Sequence, residues 1–185
     1  MKKILIITTI ILLSNAAEAE LRGYMVICLG EPSNDGRVCV YSPNDQPNYS
    51  FEMWIWCLPS ENGLSAVQFA ISYPDNVIQG DVTINPDCSL WIGSLAEGVS
   101  IVFDTCVWED KYYWTHHQTL FVTDLNPSTI RIVEHPDAYP EPGVWFLNCI
   151  AIKESCRVSS GLYLNHCPFA TQSASWGAIK SLYKK

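Results

Sequence analysis

The densest run of reactive side chains is Trp108 to Gln118, WEDKYYWTHHQ, with Glu109, Asp110, Lys111, His116 and His117. A histidine beside a carboxylate can work as a general base, and histidines with carboxylates can hold a metal. Adjacent residues of a strand point to opposite faces, so His116 and His117 do not readily share one site. No Gly-x-Ser-x-Gly elbow and no His-Glu-x-x-His motif accompanies them. The expectation is a protein without catalytic residues. The alternative is a secreted hydrolase or metal-dependent enzyme using His116 or His117.

Aromatic side chains offer a second kind of chemistry. The chain holds seven Trp, nine Tyr and six Phe, enough to build a stacking surface for sugar rings or a contact patch for a protein. Trp54 and Trp56 lie in the most apolar stretch, FEMWIWCL, and are expected in the core. Trp91 and Trp108 are further candidates. Tyr112, Tyr113 and Trp114 fall in a polar stretch read as a loop, so they are the expected exposed patch, with His116 and His117 beside them. Calcium needs several converging oxygens. Ser33–Gly36 and Pro43–Asn48 supply oxygens, but turn-forming Asn and Asp account for both. No metal and no cofactor is expected, with calcium the one option left open.

Eight cysteines, Cys28, Cys39, Cys57, Cys88, Cys106, Cys149, Cys156 and Cys167, suit disulfides in an oxidising compartment. Their spacing contains no C-x2-C pair, which argues against zinc. The pairing offered from sequence is Cys28–Cys39, on the two arms of an expected hairpin around Asn34-Asp35-Gly36.

The compartment follows from the first residues. Lys2-Lys3, the apolar run Ile4–Leu13 and Ala17-Glu18-Ala19 read as a signal peptide cut near Ala19. Ten apolar residues are too few to span a ~30 Å hydrocarbon core, and no later segment is longer. The expected location is secreted or in the cell envelope, in a bacterium. The net charge of −8 repels phosphate backbones and argues against nucleic acid.

The elements that must position these groups read as strands. Tyr24–Leu29, Arg37–Tyr41 and Phe51–Leu58 are short apolar runs between turn residues. Leu64–Ser72, LSAVQFAIS, alternates, with Val67, Phe69 and Ile71 on one side. Val77–Ile84, Val99–Trp108, Gln118–Thr123, Thr129–Glu134 and Val144–Ile152 follow. Many short strands with regular turns imply an all-β antiparallel sandwich, with a closed barrel as the alternative.

The end of the chain differs. Residues 170–174, ATQSA, resemble a linker. Trp176, Ile179, Leu182 and Tyr183 then share one face of a short basic C-terminal helix. The expected organisation is 1–19 signal peptide, 20–169 sandwich, and 170–185 linker and helix. The helix either docks on the sandwich over an edge strand or is read by an export or attachment machine through Trp176, Gly177, Ile179 and Lys180. Weak attachment to an anionic membrane is a third reading.

The tail WGAIK, with FEMWIWCLPS, GLSAVQFAISYPDNVI and WTHHQTLFVTD, resembles uncharacterised exported β-rich bacterial proteins with a C-terminal Trp-Gly-x-Ile/Val-Lys segment. The resemblance covers most of the chain and implies export and a β-rich body. GLSAVQFAISYPDNVI alone is similar to a strand-turn pattern of cohesin-like and immunoglobulin-like sandwiches, which implies a fold and no more. The functional expectation is a secreted, disulfide-bonded surface, adhesion or binding module. Its partner would be a protein or glycan at the cell surface, or the attachment machine. A purely structural envelope subunit is a further option.

Overall fold

The computed structural model describes residues 23–30, 38–108, 112–138 and 141–167. Thirteen strands run through them: β1 (Tyr24–Cys28), β2 (Val38–Val40), β3 (Tyr49–Leu58), β4 (Leu64–Ser72), β5 (Val77–Ile84), β6 (Cys88–Ser94), β7 (Gly98–Val107), β8 (Tyr113–Val122), β9 (Ser128–Val133), β10 (Trp145–Leu147), β11 (Lys153–Ser155), β12 (Arg157–Val158) and β13 (Leu162–Leu164). They form an all-β sandwich of two sheets. The smaller sheet has the order β12-β1-β3-β8-β5. In the larger sheet β4 pairs with β7, β9 and β10, and β6 pairs with β7. Pairing is antiparallel except for β1 with β12 and β2 with β13.

Period-two patterning explains why the sheets face each other. Val67, Phe69 and Ile71 of β4 are buried, as the alternation of LSAVQFAIS requires. Met53, Ile55 and Cys57 of β3 face them across the core and are fully buried. Phe69, Phe146, Met25, Ile101 and Leu120 complete the centre. Each such side chain contributes about 1.5–3 kcal/mol by leaving water.

Sequence expectations hold for β4 and β5 residue by residue and need correction elsewhere. β1 and β2 are not arms of one hairpin. β1 pairs β3 and β12 in the smaller sheet, whereas β2 pairs β13 in the larger one. Cys28 therefore does not bond Cys39. Cys39 bonds Cys167 (Cα–Cα 5.5 Å), tying β2 to the residues after β13, and Cys106 bonds Cys149 (Cα–Cα 5.7 Å). Cys28, Cys57, Cys88 and Cys156 are free thiols. Burial pushes the Cys28 thiol up to about 12 and the Cys88 thiol up to about 11, the latter helped by Asp87 and Asp104.

The strand expected over Val144–Ile152 stops at Leu147. Asn148 Oδ1 accepts hydrogen bonds from the amides of Ile150 and Ile152, and Ala151 has a positive φ of 62°, so the chain turns and returns as β11. At this same end of β4, Gly63 (φ 73°) closes the turn from β3. A Cβ there would strike the Cys149 sulfur, so the turn and the second disulfide fit only around glycine. The signal peptide, the basic helix with Trp176, Gly177, Ile179 and Lys180, and Glu109, Asp110 and Lys111 lie outside the described residues.

Candidate functional site

Three surfaces have unusual chemistry: the outer face of each sheet, and the flank where β5 and β6 leave the sandwich open.

The run WTHHQ is not a loop. It is the first half of β8, paired to β3 and β5. Tyr112 precedes the strand and is half-buried. Tyr113 points inward, packs edge-on against Phe103 at 5.3 Å, and donates its hydroxyl to Asp87 at 2.6 Å. Burial and the Asp87 carboxylate push that phenol well above its ordinary range. Trp114 points outward and meets Trp54 edge-on at 5.4 Å.

Trp54 and Trp56 are not core residues. With Met53, Ile55 and Cys57 turned inward, strand alternation sends Glu52, Trp54 and Trp56 to the outer face of the smaller sheet. His117 lies near-parallel to Trp54 at 4.3 Å, and Trp56 lies near-parallel to it at 5.9 Å. Trp56 also donates its indole N–H to the carbonyl of Gly30 at 2.7 Å. The result is a ledge of half-buried rings that satisfy one another.

The histidines separate as strand geometry requires. His117 sits on the ledge, 4.0 Å from Glu52. His116 points inward and is fully buried, with Phe69 parallel at 6.1 Å and Trp91 edge-on at 5.4 Å. Its Nδ1 is 2.9 Å from Thr115 Oγ1, and its Nε2 has no partner. Burial pushes its pKa down to about 3, helped by the neighbouring His117, so it is neutral at ordinary pH. No substrate reaches a side chain with no exposed surface. Among the described residues, no three His, Cys, Asp or Glu side chains gather as metal ligands.

The outer face of the larger sheet is of another kind. The register aligns Leu90, Val102, Ala66, Leu147 and Lys153 in one row across β6, β7, β4, β10 and β11. The next row runs Ile92, Ser100, Gln68, Trp145 and Ser155. Leu90, Ile92 and Leu147 are 47%, 58% and 38% exposed. Between the rows is a hollow of about 200 Å³, walled by Val102, Leu147, Trp145 and Lys153. Gln68 donates to Ser100 on its floor at 3.0 Å, and the Lys153 ammonium lies over the Trp145 ring at 4.7 Å. Sequence reading missed this face because β6, CSLWIGS, was not recognised as a strand. The signal was there: Leu90 and Ile92 alternate with Trp91 between two turns.

No family model and no curated protein matches the chain. Solved structures do. The chain is similar to a type I cohesin–dockerin complex structure from Clostridium thermocellum, at 8% identity over 79% of this chain and 94% of that one, with a TM-score of 0.52. It is also similar to the cohesin module of a family 33 glycoside hydrolase from Clostridium perfringens, at 10% identity over 78% and 98% of the two chains, with a TM-score of 0.55. The fold is thus a cohesin-like sandwich.

Proposed function

We propose that this chain is an exported, non-catalytic protein-binding module whose partner docks on the outer face of the larger sheet. The observation that carries this reading is the face itself. Leu90, Ile92, Val102 and Leu147 present aliphatic surface to solvent across four adjacent strands, around a hollow with a polar floor. Contiguous apolar surface rimmed by polar groups suits a protein contact. Trp145 and Lys153 at its edge supply an aromatic anchor and a cation for an acidic group of the partner. The likeness to a chain solved in a cohesin–dockerin complex supports a protein rather than a small molecule as ligand. The signal-like leader and the two disulfides support export. Trp176, Gly177, Ile179 and Lys180 then serve as a sorting or attachment address.

The test is capture from the host's secreted and envelope fractions by immobilised full-length protein, wild type against Ile92→Asp/Leu147→Asp. A partner held by the wild type and lost by the face variant supports the reading. A partner held equally by both, or none held by either, overturns it. Intact mass of the exported protein checks the address: a mass lacking the residues after about Ser173, or carrying an added group there, marks processing, and an unmodified Lys185 end removes that role.

A further inference from the structure

Sheet edges are hazards because their free N–H and C=O groups template pairing with another chain. Most edges of this sandwich are blunted. β12 is two residues long and contains Arg157, and β11 is three residues long and contains Lys153 and Glu154. β2 is three residues long. β5 is longer, but its register shifts between Gln79 and Val82, at Gly80-Asp81, and Asp81 is exposed.

β6 has neither the shortness nor the charge that blunts the other edges. It is seven residues long, has no charge and no proline, and among the described residues pairs only with β7. A shift at Ser89 leaves Leu90 to Ser94 in continuous register. Its side chains are apolar on both faces, with Leu90 and Ile92 outward and Trp91 inward.

The flank beside it is also unfinished. Val82 and Ile84 of β5 pair with the buried Gln118 and His116 of β8 and so share their inward side, yet each is 39% exposed. With Trp91 and Leu95 they line an opening of about 270 Å³ between the two sheets. An occupant of this flank must offer backbone hydrogen bonds to β6, aliphatic side chains outward and a large apolar side chain inward.

We propose that the occupant is a second copy of this chain, whose β6 pairs antiparallel with β6 about a two-fold axis through Trp91. The segment is self-complementary in that register. Each Leu90 faces the Ile92 of the second copy on the outer side, and the second Trp91 lies over the mouth lined by Val82 and Ile84. A two-fold contact uses the same patch twice and closes on itself, so a dimer forms and not a fibre. It also joins the two outer faces into one continuous sheet surface. Both copies are acidic while the strand itself is neutral, so salt strengthens the pairing by screening repulsion between the bodies.

Sedimentation velocity of the full-length protein over a concentration series, at low and high salt, tests this together with amide hydrogen exchange. The expected result is a reversible monomer–dimer equilibrium, tighter at high salt, in which amides of residues 90–94 gain protection as dimer forms. Leu90→Lys, an exposed site, breaks both symmetry-related Leu–Ile pairs and lowers association roughly tenfold or more, with the melting temperature unchanged at concentrations where the wild type is also monomeric. Leu147→Asp, on the face proposed for the protein partner and away from the edge, leaves the dimer intact. A monomer at every concentration overturns the proposal. So does a dimer that survives Leu90→Lys, lacks protection at residues 90–94, or dissociates with Leu147→Asp, since that dimer uses another surface.

Discussion

The ring ledge on the smaller sheet and the aliphatic face of the larger sheet are both built of apolar side chains and have opposite chemistry. On the smaller sheet, Trp54, Trp56, Trp114 and His117 pack ring against ring, and Trp56 finds a carbonyl for its indole N–H. On the larger sheet, Leu90, Ile92 and Leu147 stand exposed beside a hollow. The ring ledge is a lateral extension of the fold, stabilised by neighbours on its own sheet. The aliphatic face has its apolar surface still in water. An abundance of tryptophan is therefore a poor guide to where a partner binds. What matters is whether the side chains already have partners.

The sharpest way to break this contrast is to mutate each face and read both binding and stability. Ile92→Asp/Leu147→Asp is expected to lower partner retention at least about thirtyfold, the scale of one interface anchor of about 2 kcal/mol. Its stability should change by less than about 0.5 kcal/mol per site, because exposed positions have little packing to lose. Trp54→Ala should do the reverse. It removes the centre of the ring stack and is expected to cost about 3 kcal/mol in urea unfolding, with retention unchanged. If Trp54→Ala abolishes retention while the folded state persists, the two faces have been assigned the wrong way round.

His116 and His117 sharpen the comparison from inside one strand. They are adjacent, yet one lies in the core and the other on the ledge. His116 is held neutral, with its pKa pushed down to about 3 by burial, while in the unfolded chain a histidine titrates near 6.5. Between those values the unfolded state binds the extra proton, so stability falls as pH drops below about 6.5. The loss is about 1.4 kcal/mol per pH unit, or roughly 2–3 kcal/mol by pH 4.5. His116→Phe, which suits a site between Phe69 and Trp91, should remove that part of the acid sensitivity and leave the remainder. Parallel pH profiles for wild type and variant in urea unfolding would show that His116 is not the buried neutral group.

How much of this could be read from sequence varied with the pattern on the chain. LSAVQFAIS alternates cleanly, and both the strand bounds and the burial of Val67, Phe69 and Ile71 follow from it. FEMWIWCL is apolar at every position but Glu52, so its period of two is hidden. Only the structure shows that Met53, Ile55 and Cys57 face the core while Trp54 and Trp56 face out. WEDKYYWTHHQ failed for the opposite reason. Its polar residues suggested a loop, but from Tyr113 onward strand pairing with β3 and β5 overrides that preference and uses the histidines in two environments. The sandwich itself was legible because many short strands between turns leave few architectures open. Long-range facts were not. Nothing local in Val38–Val40 indicates a parallel partner more than a hundred residues away, and so the bond of Cys39 to Cys167 was not legible either.

The smallest effect belongs to the contact between Glu52 and His117 on the ledge. Glu52 and His117 approach only to 4.0 Å, and Glu52 is largely in water. An exposed pair of that kind gains little Coulomb energy, costs side-chain entropy, and is screened by salt. Trp54, not Glu52, then holds His117 in place, through ring contact at 4.3 Å. Glu52→Gln should therefore change stability by less than about 0.5 kcal/mol at low salt, and by nothing measurable at high salt. It should also leave partner retention alone, since the ledge does not carry the contact. Retention lost with Glu52→Gln while the fold stays intact would place an acidic recognition group on the smaller sheet. The ring ledge would then be a binding surface in its own right, organised around that carboxylate.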